Sequence, residues 1–243
     1  MFENKSSNVE YEIIAPEGSA TYDIGLRAFM RKVYNNMSLA LLISALSAFI
    51  TAIIPGLLQT IMTHKILFYI VAFAPVIYLF AVGGKIMTMT SGAAKRSLVI
   101  FSAIMGVSLS YILVVFTGAS IVQTFLITAC IFLSMSLYGY TTKKDLSGMG
   151  SFLMMGFIGI FFASILNLLF KSGAMSFIIN IMAVIIFTGL AAWENQKLKM
   201  LYQANHTNSE TTDKIAVIGA LNLYMSFINL FMSLLSLFGD RRS

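Results

Sequence analysis

Three carboxyl groups are placed where they could sense protons or attract a cation at the edge of an apolar segment. Of the ten acidic residues, seven lie in the first 24 residues or in the last loop: Glu3, Glu10, Glu12, Glu17, Asp23, Glu210 and Asp213. The other three, Asp145, Glu194 and Asp240, border apolar runs. Glu194 follows Trp193, and partial loss of water there would let its carboxyl exchange a proton near physiological pH. The sequence therefore predicts either a pH-sensing gate at Glu194 or a carboxylate that reaches the headgroups and pairs with Lys197.

A stripe of polar side chains runs along the last apolar segment. Its members are four, three, four and three residues apart and share one helical face: Asn222, Ser226, Asn229, Ser233 and Ser236. A polar stripe cannot face lipid, so this helix should lie at the centre of a bundle. Its amides and hydroxyls either bond to neighbouring helices, at about 0.6 to 2 kcal/mol each, or line a pathway for water or ions.

Little in the sequence points to catalysis, to a metal centre or to nucleic-acid binding. The two histidines, His64 and His206, lie in loops, which argues against an intramembrane Ser-His dyad and an HExxH zinc site. The single cysteine, Cys130, lies within an apolar run, and the net charge of +6 is spread over basic residues that flank such runs. We therefore expect no enzymatic activity, no cofactor, no metal centre and no nucleic-acid partner.

The elements that position these side chains are membrane helices. The 243 residues are 58% hydrophobic and 11% charged, with a mean hydropathy of +0.85, which is typical of a membrane protein. Candidate spans free of Asp, Glu, Lys and Arg cover about 33–54, 66–83, 97–116, 119–140, 147–170, 173–192 and 215–238. Thr117-Gly118 predicts a tight hairpin between spans three and four. The expected fold is an all-α polytopic membrane protein with seven transmembrane helices and a central polar seventh helix.

The distribution of charge predicts the domain organisation and the orientation. Residues 1–24 are expected to form a disordered acidic N-terminal tail, and residues 25–243 a seven-helix membrane domain. Up to span seven, the loops on the N-terminal side carry 12 Lys and Arg and those on the other side carry 2, which predicts a cytoplasmic N-terminus. Seven full crossings would place Arg241 and Arg242 outside the cytoplasm, so a re-entrant last segment is an alternative.

Three strings of the sequence carry a family resemblance: SLYGYTTKKDLSGMGSF (136–152), GLAAWENQKLK (189–199) and GALNLYMSFINLFMSLLSLFG (219–239). The strings GLRAFMRKVYNNMS and SAIMGVSLSYI, in the first and third spans, support it. Together they resemble the bacterial branch of the Bax inhibitor-1 family, over about residue 22 to the end. The resemblance implies two groups of three helices around a central, polar seventh helix.

The resemblance also implies roles for particular residues. In family members that act as pH-sensitive calcium leak channels, a carboxylate at the end of helix six and an aspartate in helix seven share a proton, and a basic residue after helix two contacts them. The first position is Glu194 here, the second is Ser226, and Lys85 is the nearest basic candidate. Because the serine leaves one carboxylate, the resemblance implies a weaker, single-site pH response.

Two functions from different classes follow from these features. The first is a passive, pH-modulated leak for calcium or another cation through a bacterial inner membrane. Three border carboxylates are too few for the six to eight oxygen ligands of a tight calcium site, so only weak flux is expected. The second is a regulator of membrane protein quality control or of a stress response. A family branch with a similar acid-plus-serine pattern associates with a membrane-embedded AAA protease, which would be its partner.

Overall fold

The computed structural model describes residues 17–86, 88–205 and 208–242, and these ranges contain helices and no strand. The helices are α1 (Glu17–Ile53), α2 (Leu57–Thr63), α3 (Lys65–Gly83), α4 (Ser91–Leu109), α5 (Ile112–Val115), α6 (Gly118–Thr141), α7 (Ser147–Phe170), α8 (Gly173–Asn205) and α9 (Ser209–Phe238). Seven segments in these ranges are long and apolar enough to cross a membrane: Ile24–Ile53, Lys65–Gly83, Ser91–Val115, Gly118–Thr141, Ser147–Phe170, Gly173–Asn205 and Ser209–Phe238. The predicted all-α fold with seven spans is confirmed.

The last helix, α9, lies at the centre of the bundle. Within its most apolar window, 72% of the residues are buried, whereas the corresponding share is 6% in α3 and in α7. Helices α1, α4, α6 and α8 all pack against α9, while α3 packs on α4 and α7 packs on α8. The expected arrangement of two three-helix groups, here α1, α3, α4 and α6, α7, α8, around a central seventh span is therefore present.

Two glycines allow neighbouring backbones to approach closely. A Cβ at Gly139 of α6 would overlap the backbone carbonyl of Ala192 in α8, and one at Gly106 of α4 would overlap the carbonyl of Ser44 in α1. Each of the two three-helix groups thus has a backbone contact at which only hydrogen fits. Small residues serve this purpose in membrane bundles, where close packing replaces the hydrophobic driving force.

The hairpin predicted at Thr117 is present, and it holds the end of the chain. The Thr117 hydroxyl accepts a hydrogen bond from the Ser120 amide at the start of α6. The Thr117 amide donates to the Asp240 carbonyl at 3.0 Å, and the Arg242 amide donates to the Val115 carbonyl at 2.9 Å. Because this hairpin follows three crossings from the N-terminus, α9 ends on the face of the bundle opposite the one on which α1 begins. We call that second face the far face, and α9 makes a full crossing rather than a re-entrant one.

Two of the helix bounds differ from the sequence-based expectations. Helix α1 already includes residues 17–24, so the predicted tail is helical there; residues 1–16 of that tail lie outside the described residues. Helix α8 continues 13 residues beyond the predicted end of span six at residue 192, through the polar sequence that follows the apolar run.

Candidate functional site

Glu194 lies in α8 with its carboxyl group directed at α9. The Ser226 side chain of α9 lies next to this carboxyl, so the structure brings the two predicted residues together. Ser226 is buried, and the Oε2 atom of Glu194 is buried without a hydrogen-bond partner among the described residues. A buried carboxyl oxygen with an unmet acceptor is costly in a packed protein. Water, a proton or a cation bound at this oxygen would therefore compensate for the missing hydrogen bond.

A cavity of about 220 Å³ lies between α8 and α9 beside this carboxyl. Glu194 and the predicted stripe residue Asn222 both line it, together with Trp193, Lys197, Leu198 and Gly219. It is formed by the C-terminal half of α8 and the N-terminal half of α9, on the face where α1 begins. The first residue of the predicted stripe and the predicted pH-sensing carboxylate thus share one cavity.

Lys197 does not form the predicted ion pair with Glu194. Its ammonium lies over the Trp193 ring, 4.8 Å from the centroid, where the ring's negative face attracts it. Lys197 still acts on the Glu194 carboxyl electrostatically. Across residues 24–86, 88–205 and 208–242, the ion pairs are Lys32 with Asp213 and Lys214 with Glu210.

The lower part of the stripe packs rather than lining an open channel. The Asn229 amide donates to the Met225 carbonyl and the Ser233 hydroxyl donates to the Asn229 carbonyl, both at 2.8 Å within α9. Ser236 accepts a hydrogen bond from Asn180 of α8 at 3.0 Å. The stripe thus meets α8 at its two ends, while Asn229 and Ser233 in its middle bond only within α9. We call this line of side chains, from Asn222 to Ser236, the polar seam; Asn222 and Ser236 at its ends are exposed.

The structure does not bring Lys85 to this site. Lys85 is exposed in the turn after α3, and its ammonium makes no ion pair with any residue that the structure describes. Its backbone carbonyl accepts a hydrogen bond from Thr88. Lys197 of α8 itself is the basic residue that acts on the Glu194 carboxyl.

Asn195, next to Glu194, belongs to a buried polar cluster that sequence reasoning missed. Its side-chain oxygen accepts a hydrogen bond from the Tyr34 hydroxyl of α1 at 2.5 Å, and its amide donates to Ser136 of α6 at 3.0 Å and to the Ala191 carbonyl at 2.7 Å. Asn195 has no exposed surface. The amide side chain in the string WENQ, at the end of an apolar run, was the available signal, but the sequence alone gives no partner for it.

Gln196 fixes the loop between α6 and α7. Its side-chain oxygen accepts from the Leu146 amide and its side-chain amide donates to the Lys144 carbonyl, both at 2.7 Å. Consecutive residues of a helix point about 100° apart, so three neighbours reach three different surroundings. Glu194 therefore meets α9, Asn195 meets α1 and α6, and Gln196 meets the loop.

A second buried cluster joins α9 to α1 and α4. The Tyr224 hydroxyl lies 2.7 Å from the Ser44 hydroxyl, which also bonds to the Ser102 carbonyl at 2.8 Å. Tyr224 is completely buried. This cluster anchors the side of α9 that faces away from the polar seam, so α9 has polar anchors on both sides.

The other two border carboxylates have local structural partners. Asp145 accepts a hydrogen bond from the Ser147 amide at 2.9 Å at the start of α7, and Ser147 holds the pKa of this carboxyl below its ordinary value. Asp240 accepts from the Ser120 hydroxyl at 3.3 Å. Within the described ranges, no three side chains of His, Cys, Asp or Glu converge.

Comparison with known proteins identifies relatives of this chain over nearly its full length. A family model described as "Inhibitor of apoptosis-promoting Bax1" matches residues 26–243. The chain is 40% identical to an uncharacterized protein of Rickettsia prowazekii over 226 residues, covering 92% of this chain and 94% of the relative. It is 39% identical over 219 residues to the Escherichia coli inner membrane protein YbhL, covering 90% and 94%. An uncharacterized membrane protein of Streptococcus pyogenes is 37% identical over 222 residues, covering 89% and 94%.

Proposed function

Because this chain belongs to the Bax inhibitor-1 family, we propose that it is a passive, pH-modulated leak pathway for calcium or a related cation. The proposed location is a bacterial inner membrane, the compartment that the name of the Escherichia coli relative gives for that protein. One observation carries the proposal: the Glu194 carboxyl, with a buried oxygen that has no hydrogen-bond partner, borders a cavity at one end of the polar seam.

The polar seam is the proposed route. At its two ends polar groups from both helices meet, Glu194 with Ser226 on the side where α1 begins and Asn180 with Ser236 towards the far face. Between them, Asn229 and Ser233 are satisfied by their own helix, and apolar side chains such as Leu190 and Leu230 pack tightly. The described conformation is thus a closed state, and conduction requires α9 to shift relative to α8.

The carboxyl provides a reason for pH dependence. An ionised carboxylate buried without a partner is unfavourable unless water or a cation reaches it. Ionisation of Glu194 therefore favours a hydrated seam, and protonation favours the closed packing. We expect flux to be greater at pH 8 than at pH 6.

The flux should be weak. Tight calcium sites use six to eight oxygen ligands, often several carboxylates. Of the three border carboxylates, Asp145 and Asp240 are engaged by Ser147 and Ser120 and do not line the Glu194 cavity. A cation passing Glu194 would complete its coordination with water and with amide or hydroxyl oxygens such as those of Asn222 and Ser226.

Calcium flux into proteoliposomes that contain the purified protein tests the proposal. Wild type, Glu194→Gln and Glu210→Gln are compared at pH 6 and pH 8. Glu210 is the matched control because its carboxylate is exposed on α9 and pairs with Lys214. We expect flux above empty liposomes for all three, with the pH dependence lost in Glu194→Gln and kept in Glu210→Gln. Absence of flux from folded wild-type protein at both pH values would contradict the proposal.

Orientation is tested separately. We propose that the N-terminus is cytoplasmic, as the excess of basic residues on that side indicates. A reporter fused after Ser243 should then be active outside the cytoplasm, because the far face holds the C-terminal residues. A cytoplasmic signal from that reporter, with an N-terminal reporter also cytoplasmic, would contradict the seven-crossing orientation.

A second candidate function is regulation of membrane protein quality control through a membrane-embedded AAA protease. The closed middle of the polar seam and the serine at position 226 favour this function, because a regulator needs neither an open pathway nor a second carboxylate. Deletion of residues 1–16 leaves α1 intact and removes most of the acidic tail. We expect a membrane-embedded AAA protease to co-purify with the full chain and to be lost from the deletion variant. Equal recovery from both chains would remove the tail from the interaction, and no recovery from either would exclude this function.

A further inference from the structure

A large apolar cavity opens on the side of the bundle between α1 and α6. Its volume is about 440 Å³, and α9 forms its floor; we call it the lateral groove. Side chains that line it include Leu42, Ala45, Phe49, Ile121, Phe125 and Phe231. The polar residue among its walls, Ser44, is already hydrogen-bonded to Tyr224 and Ser102, so the groove offers almost purely hydrocarbon contact.

The groove lies within the membrane-spanning part of the bundle and faces outward. Leu42 and Phe49 on its rim are 62% and 58% exposed, whereas Phe231 on its floor is 5% exposed. Its length along α1, from Leu41 to Phe49, corresponds to about 12 Å of helix. The small side chain of Ala45 leaves this space unfilled by the protein. The hydrocarbon chains of the surrounding lipids can therefore enter the groove.

A second cavity lies beyond the groove towards the far face. It has a volume of about 400 Å³ and is lined by residues that include Ala52, Pro55, Gln59, Thr63 and Val114. Ala52 lies one turn of α1 beyond Ala48 of the groove, and Val114 follows Leu113 of the groove, so the residues that line the two cavities are neighbours along α1 and α5. The second cavity is more polar because Gln59, Thr63 and the turn after α1 contribute to it, at the depth where helices leave the hydrocarbon.

We propose that these two cavities bind one phospholipid, with an acyl chain in the lateral groove and the glycerol-phosphate end in the second cavity. An apolar slot that leads to a polar chamber at the membrane surface matches the two parts of such a molecule, and the bilayer supplies it at high concentration. The acyl chain would contact Phe227, Ile228 and Phe231 of α9. The bound lipid thus stabilises α9 from the side opposite the polar seam. This inference rests on the geometry of α1, α6 and α9 and is independent of the proposed cation leak.

Photolabelling tests the site without any substitution. Wild-type protein in liposomes is exposed to a phosphatidylethanolamine whose acyl chain carries a diazirine at its middle, and the labelled peptides are identified by mass spectrometry. We expect saturable labelling of residues 41–49 and 121–125 that excess unlabelled phospholipid displaces. Labelling that instead follows lipid exposure, strongest on α3 and α7, would overturn the proposal.

A groove-filling variant gives a second measurement. Ala45→Phe places a ring in the lateral groove, and Ala81→Phe adds the same ring to an exposed position of α3. After extensive washing in detergent, we expect native mass spectrometry to find one retained phospholipid on wild type and on Ala81→Phe and none on Ala45→Phe. Added phospholipid should raise the Tm of the first two proteins only, as ligand linkage requires. Equal retention by all three folded proteins, or retention by none, would contradict the site.

Discussion

The hydroxyl of Tyr34 donates a hydrogen bond to the side-chain oxygen of Asn195 at 2.5 Å and so joins the first helix to the sixth span inside the bundle. Ser136 receives the amide of the same asparagine, which adds α6 to this contact. The cluster lies one residue from Glu194 along α8. The carboxyl is therefore carried by a helix whose position is fixed by buried polar contacts on another of its sides.

Removing either partner of this contact should lower the free energy of unfolding. We expect Tyr34→Phe and Asn195→Leu each to cost about 1 to 3 kcal/mol, because each leaves a buried polar group unsatisfied. The double variant should cost less than the sum of the two single changes, since the pair is then removed together. Chemical unfolding in detergent measures this, with Tyr138→Phe as the control because Tyr138 is 45% exposed. Strict additivity would show that the two groups do not interact.

Gly139 should tolerate no side chain. Gly139→Ala would place a methyl group against the backbone carbonyl of Ala192 and force α6 away from α8, at about 1 to 3 kcal/mol. Gly159→Ala on α7 is the control, because its Cβ meets no neighbouring atom within 4 Å and alanine favours a helix. Thermal unfolding should show a lower Tm for the first variant and an unchanged or higher Tm for the second. An equal Tm for the two variants would contradict the close approach.

The pKa of Asp145 gives a prediction for stability in acid. Hydrogen bonds from the side chain and backbone of Ser147 hold this pKa below the ordinary value of 3.8. A lowered carboxyl pKa means that the stabilisation is complete above the ordinary value and is lost as the pH falls through the folded-state pKa. Asp145→Ala should therefore lower the Tm at neutral pH, and its difference from wild type should shrink as the pH falls below about 4. Asp145→Asn also removes the titrating group but keeps an acceptor, so its difference from wild type should be smaller at neutral pH and should likewise shrink as the pH falls below about 4.

Replacing Ser226 with an acid should change the pH profile of the proposed flux. Ser226→Asp places a second carboxyl against Glu194, and two carboxyls that close together titrate as a coupled pair. We expect a steeper dependence of calcium flux on pH in proteoliposomes. Ser226→Asn introduces a side chain of the same size without a charge and should keep the wild-type profile. If the Asp variant also keeps that profile, position 226 does not contribute to pH sensing.

The features that could be predicted are those marked by a local pattern in the sequence, such as the length of an apolar run or the spacing of polar residues. Seven apolar runs of sufficient length gave seven spans, and Thr117-Gly118 marked the hairpin because no other break interrupts that stretch. The three- and four-residue spacing on α9 predicted a central helix, because a polar face needs protein rather than lipid around it.

The contacts between distant residues had no such signal. The partner of Lys197 is the ring of Trp193 rather than Glu194, which depends on side-chain directions around one helical turn. Tyr34 and Asn195 lie 161 positions apart in the sequence, and their pairing depends on how α1 and α8 are aligned along each other. Lys85 was assigned to the gate by resemblance, yet its turn leaves it exposed on the other three-helix group.

The helix at the centre of the bundle is synthesised after the six other spans. Chains grow from the N-terminus at about 5 to 20 residues per second, so six spans enter the membrane before the core that they enclose exists. Until α9 arrives, Ser44 lacks the hydroxyl of Tyr224 and Glu194 lacks that of Ser226. The pairing of Asp240 and Arg242 with the hairpin forms only after the final helix has crossed. A chain that stops before α9 would leave polar side chains such as Ser44 and Glu194 without their partners on the central helix.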